Sequence, residues 1–92
     1  MNTDKPLLLI TLLHQLLSET DKMKVGQAYI AVIEEMKRVS FVEGGNNPYP
    51  NMVYKHLIQL SIKDFIHAGR SEASAKVVND VIEVISNADI VS

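Results

Sequence analysis

The sequence contains no cysteine, which removes disulfides, thiolate metal sites and a cysteine nucleophile together. Tryptophan is absent too, and the aromatics amount to three tyrosines and two phenylalanines. Any core must therefore be built mainly from Leu, Ile and Val. Neither sign of charge dominates: nine Lys/Arg stand against eleven Asp/Glu, a formal charge of −2. The halves are alike, with five basic and six acidic residues in 1–45 and four and five in 46–92. Such a balance offers no basic tract for nucleic acid or an anionic membrane.

A long hydrophobic run is missing as well. The greasiest stretch, "PLLLITLLHQLL" at residues 6–17, gives out at Ser18-Glu19, short of the roughly 20 apolar residues a membrane helix needs. Asp4 offsets Lys5 ahead of it, and "LLSETDKMK" offers no small-residue cleavage site, so an export signal is not expected. Thr11, His14, Gln15 and Ser18 recur at helical spacing as one narrow polar stripe. That pattern predicts a helix apolar over most of its circumference, the most buried member of a small bundle.

At 92 residues the chain is expected to form one domain, residues 1–92, burying roughly 60–70% of the surface of the open chain. Four helices are expected. The first runs from about Asp4 to Ser18, with Thr3 or Asp4 as cap and Pro6 in its first turn. The second runs from about Lys22 to Val42, placing Val25, Tyr29, Val32, Met36 and Val39 on one face and Glu34, Glu35, Lys37 and Arg38 mostly on the other. "EGGNNPYPN" then breaks the pattern as a loop. Pro50 suits the first turn of a third helix, about Pro50 to Ala68, whose apolar side is Val53, Leu57, Ile58, Leu60, Ile62, Phe65 and Ile66. Gly69 reads as a C-cap glycine and Ser71 as the N-cap of a fourth helix, with Glu72 facing its dipole.

That last helix, about 71–88, contains "KVVNDVIEVIS", rich enough in β-branched residues to suggest a strand. The period decides for helix, because Val77/Val78, Val81/Ile82, Val84/Ile85 and Ala88 share a face opposite Asn79/Asp80, Glu83 and Ser86/Asn87. Four helices on short connections predict an all-α, antiparallel up-and-down four-helix bundle.

Catalytic and metal-binding constellations do not emerge. His14, His56 and His67 fall on different elements, without carboxylates at metal-ligand spacing. Glu34 and Glu35 are adjacent and diverge on a helix. Asp80 and Glu83 share a face without a histidine, and "EGGNNP" lacks the Lys-Ser/Thr of a phosphate loop. No enzyme, metal or cofactor is therefore expected. A helix-turn-helix through "IHAGRSEAS" is disfavoured, since its second helix opens on Ser71-Glu72-Ala73-Ser74 with Lys76 as its basic residue.

One surface feature stands out. Lys55, Gln59 and Lys63 lie one turn apart on the third helix, continued by His67 and Arg70, with only Asp64 opposing. Such a stripe can simply hydrate a small bundle, or it can be a binding face for an acidic partner or for membrane-side loops.

The segment "NPYPNMVYKHLIQLSIKDFIHAGRSEASAKVVNDVIEVISNADI" resembles the C-terminal half of the immunity proteins for pediocin-like (class IIa) bacteriocins, near the enterocin A immunity type. The shared features are a proline before helix three, a helix of this length with scattered basic residues, a Gly-x-Ser turn at Gly69 and Ser71, and a tail containing Ile90. "LLHQLLSETDKMKVGQAYIAVIEEMKRV" is similar in spacing to that family's first two helices, although the Trp-containing lead-in of some members is absent and the tail after Ile90 is short. The resemblance implies a cytoplasmic four-helix protein, peripheral at the inner face of the membrane, that protects the cell from a pore-forming peptide. Its partner would be the mannose permease occupied by the toxin, without nucleic acid or small-molecule substrate. The recognition residues it implies are Lys55, Gln59, Lys63, His67 and Arg70, with Asn87, Asp89 and Ile90 at the end of the chain.

A different class also fits the composition: a small all-α regulatory or antitoxin-like homo-oligomer. It would need an exposed apolar face, for which helix one is the candidate, whereas a monomer would bury that arc. An interfacial membrane binder needs Lys/Arg beside the apolar face, and helix one has only Lys5.

Overall fold

The computed structural model describes residues 3–45 and 47–92. Among these the order of elements is β1 (Thr3–Asp4), α1 (Leu7–Ser18), α2 (Lys22–Arg38), α3 (Asn51–His67), α4 (Glu72–Ser86) and β2 (Ile90–Val91). The expected four-helix, all-α architecture is present. Each helix packs on two others: α1 on α2 and α4, and α3 on α4 and α2. Between them Leu9, Leu13, Leu16, Val32, Met36, Ile58, Ile62, Phe65, Val78, Ile82 and Ile85 form one buried cluster.

The caps follow local chemistry. The Asp21 carboxylate accepts from the backbone N–H groups of Met23 and Lys24 at 2.9 and 3.2 Å, starting α2. Ser71 Oγ accepts from Ser74 N at 3.2 Å, starting α4 as expected. Gly69 ends α3 at φ +67, where only glycine is unstrained. Gly69 N donates to Ile66 O at 3.2 Å and Arg70 N to Phe65 O at 2.8 Å, the paired bonds of a Schellman cap. Arg70 itself takes φ +59 to complete the turn.

The sequence reading needs correction at both ends of the helices. α1 begins at Leu7 and not at Asp4, because Thr3–Asp4 pairs antiparallel with Ile90–Val91, Thr3 opposite Val91 and Asp4 opposite Ile90. Neither Thr3 nor Asp4 caps α1; Pro6 occupies the cap position without a side-chain bond. Similarly, α2 stops at Arg38, four residues before Val42. There Val39 turns extended, and burial alternates: Val39 in, Ser40 out, Phe41 in. A period of two has replaced the helical period. Val91 N donates to Ser40 O at 2.9 Å and Val42 N to Asp89 O at 2.8 Å. The tail thus lies between the chain's first residues and the segment after α2.

Pro50 takes the N-cap position of α3, one residue earlier than the first turn expected for it. Since proline has no side-chain acceptor, the cap is supplied from elsewhere: Glu43 Oε1 accepts from Asn51 N at 2.8 Å. Asn51 Oδ1 in turn accepts from Phe41 N at 2.7 Å, which ties the segment after α2 to the start of α3.

Burial also departs from expectation. α1 is not buried on nearly every side: Leu7 and Leu8 are 64% and 54% exposed, and only Leu9, Leu13 and Leu16 are fully enclosed. The stripe Thr11, His14, Gln15 and Ser18 is exposed as expected. Glu35 leaves the wet face predicted for it and is 7% exposed. Its carboxylate accepts from Arg38 Nε and Nη2 at 2.8 and 2.6 Å, and this bidentate bond raises the Arg38 pKa. On α3, Val53 and Leu60 are exposed while Tyr54 is buried in their place; on α4, Val77 is exposed.

Candidate functional site

The cationic stripe of α3 can be traced from end to end. Lys63 and His67 are exposed, and Lys55, Gln59 and Arg70 half-buried. Among the described residues the ion pairs are Lys5–Asp89, Glu35–Arg38 and Lys76–Asp80, so the stripe's own cations lie outside every pair. Lys55 Nζ reaches only the carbonyl of Lys37, at 3.5 Å. Asp64, expected to oppose the stripe, takes part in none of these pairs.

The stripe divides between two depressions. Lys63, His67 and Arg70 form one side of a cleft of about 660 Å³, together with Ile66 and Gly69. Its other wall is the first half of α2: Lys22, Val25, Gly26 and Tyr29. These four recur at spacings of three, one and three residues, which puts them on one face of the helix. Val25, Tyr29 and Ile66 are half-buried and pack against the core, so they make an apolar floor. Lys22, Lys63, His67 and Arg70 make the rim, and no carboxylate lines the cleft. Arg70 is fixed there by donating from Nη1 to the carbonyl of Glu19, which ties the α3–α4 turn to the α1–α2 connector.

Lys55 and Gln59 belong elsewhere. They line a shallower depression of about 430 Å³ with Met52, Val53, His56 and Leu57. Of the three histidines, His14 is exposed on α1, His56 lines this second depression and His67 the first. Among the described residues no three His, Asp, Glu or Cys side chains are grouped to hold a metal ion.

The tail residues are gathered at the opposite end. α4 separates Arg70 from Asn87, a distance of roughly 22 Å at 1.5 Å per helical residue. There the Lys5 ammonium meets the Asp89 carboxylate at 2.8 Å. Asn47, buried, donates from its amide to the carbonyls of Val42 and Asp89 and accepts from Asp89 N at 3.4 Å. Ile90 lies opposite both Asp4 and Phe41, its backbone committed on either side. Asn87 is exposed and bonds back to Glu83 O at 3.0 Å. The eight residues singled out from the sequence therefore fall in three places: the cleft, the neighbouring depression further along α3, and the opposite end of the fold.

The α2 wall of the cleft was not anticipated as a site. Val25 and Tyr29 read as ordinary core positions. The available signal was Gly26, an isolated glycine inside an otherwise regular helical pattern.

No helix among the described residues is long and apolar enough to cross a membrane. No protein-family model matches the chain, and neither a curated protein nor a solved structure matches it.

Proposed function

We propose that the chain is a bacteriocin immunity protein of the pediocin-like type, a cytoplasmic binding module without catalytic activity. It protects the cell by engaging the toxin-occupied mannose permease from the inner side of the membrane. The observation that carries this reading is the row of cations along α3 and its turn, Lys55, Lys63 and Arg70, none of them in an ion pair among the described residues. Uncompensated charge presented on a rigid helix is suited to steering and holding an acidic partner surface. The sequence resemblance names the partner, and the four-helix fold agrees with it.

On this reading Lys63, His67 and Arg70 are the principal contacts. Lys55 and Gln59 extend the surface along α3, and Asn87, Asp89 and Ile90 form a separate element at the far end. The test is expression in a bacterium that carries the mannose permease, followed by challenge with a panel of pediocin-like bacteriocins. Resistance to one or a few, absent from the empty-vector strain, is the expected result. Sensitivity to every member, with the protein folded and abundant, would move the regulatory homo-oligomer to the front.

A further inference from the structure

The cleft between α2 and α3 combines two properties that a merely solvated surface does not need together. Its floor of Val25, Tyr29 and Ile66 is apolar, and its rim carries Lys22, Lys63 and Arg70 with no carboxylate in the lining. At about 660 Å³ it falls within the range of small-molecule sites, roughly 300–1,000 Å³.

Gly26 is the second, independent observation. It sits inside α2 at an ordinary helical conformation, and a Cβ built there would meet nothing within 4 Å. Neither backbone geometry nor packing requires glycine, and glycine inside a helix weakens it relative to alanine. What the missing side chain does is leave the wall of the cleft open.

We propose that this cleft binds a single-chain amphiphile with an anionic head, a medium-chain fatty-acid carboxylate. The acyl chain lies along Val25, Tyr29 and Ile66 past Gly26. The carboxylate meets Lys63 and Lys22, while Arg70, already anchored on Glu19, holds positive potential at the end of the groove. The inference goes beyond the immunity reading and does not rest on it, since it concerns the free protein and a small ligand.

The test uses the purified full chain, with sodium decanoate kept below its aggregation concentration and titrated calorimetrically at low salt. Saturable one-to-one binding is expected, weakening as salt is added because the rim charges are exposed. Decyltrimethylammonium, with the same chain and the opposite charge, should not bind. Gly26→Phe fills the groove and should weaken decanoate at least about tenfold, while Lys22→Gln with Lys63→Gln weakens it about fivefold. Thermal melts establish that each variant is folded. The contrast between the two amphiphiles is made on the unmodified chain, so it decides even if Gly26→Phe does not fold. Equal binding of the cation, no saturable binding of decanoate, binding unchanged in folded Gly26→Phe, or association only with anionic lipid vesicles overturns the proposal. Protection in the challenge assay is a separate readout that succeeds or fails independently.

Discussion

The Phe41 ring stacks on the Tyr54 ring, with centroids 4.7 Å apart and planes 24° from parallel. Tyr49 meets the other partner edge-on, at 5.5 Å from Tyr54. Three of the chain's five aromatic side chains thus lock the segment after α2 to the first turn of α3. Phe41→Ala should destabilise the fold by about 3–5 kcal/mol, combining lost transfer energy with a cavity and a broken stack. Urea denaturation checks it; a loss under about 1 kcal/mol would mean the segment is not part of the core.

Tyr54 adds a pH dependence with a definite sign. Burial pushes its phenol above the ordinary value, and the neighbouring Tyr49 pushes it further, against a weaker opposing hydrogen bond from the Tyr49 backbone. A raised folded-state value means the native protein keeps a proton that the unfolded chain loses above about pH 10. The contribution is therefore complete below pH 10 and lost as pH rises through the folded value. Tyr54→Phe should show a shallower fall in stability between neutral pH and about pH 11 than the parent chain. Denaturant midpoints across that range measure the difference; parallel curves would count against it.

Two leucines one and a half turns apart on α1 test which side of that helix is inside. Leu13 is fully buried and Leu8 is 54% exposed. Leu13→Asp buries an unpaired charge and should unfold the chain, whereas Leu8→Asp should stay within about 0.5 kcal/mol of the parent. Thermal melts followed by circular dichroism distinguish them. A cooperative melt of Leu13→Asp near the parent midpoint would place α1 outside the core.

The contrast between Leu8 and Leu13 also shows where sequence reasoning reached and where it stopped. Helix existence was legible because the 3.6 period in α2, α3 and α4 agrees, for α3 and α4, with the local caps at Gly69 and Ser71; the Asp21 cap of α2 emerged only in the structure. The extent of α1's buried face was not legible: the polar stripe marked its wet side, but a segment apolar on most of its circumference leaves open how many of the flanking leucines, Leu7 and Leu8 among them, are covered. Likewise Val39 to Val42 can extend a helical stripe or alternate as a strand. What decides is the tail, whose Asp89 carbonyl and Val91 N–H bond to Val42 and Ser40, some fifty residues away in sequence. The cleft was half legible. Lys63, His67 and Arg70 recur at turn spacing, but their apposition to Lys22 and Gly26 is a property of how α2 and α3 pack.

Asn47 holds that tail in place. Its buried side chain bonds to Val42 O, Asp89 O and Asp89 N, satisfying three backbone groups that water does not readily reach. Asn47→Ala should cost about 1–3 kcal/mol. It should also speed hydrogen exchange at the amides of Val42 and Val91 more than at Val32 or Ile58 in the helical core. Equal acceleration at all four amides would show the tail to unfold only with the whole fold.

Lys63 is the residue on which the surface argument turns, since it belongs to both the α3 stripe and the cleft rim. It is exposed and lies outside every ion pair among the described residues. Its replacement therefore removes no internal contact of consequence, and Lys63→Glu should melt within about 0.5 kcal/mol of the parent. Partner binding should respond far more, because reversing a charge replaces attraction by repulsion at the same place. If the protein confers resistance, a strain carrying Lys63→Glu should lose most of it at equal protein abundance. Lys76→Glu is the matching control, since Lys76 lies on α4 and is paired with Asp80 at 3.1 Å. Loss of resistance with Lys63→Glu and retention with Lys76→Glu would assign recognition to the α3 surface. Full resistance with both would return the α3 stripe to the role of a hydrated helix face.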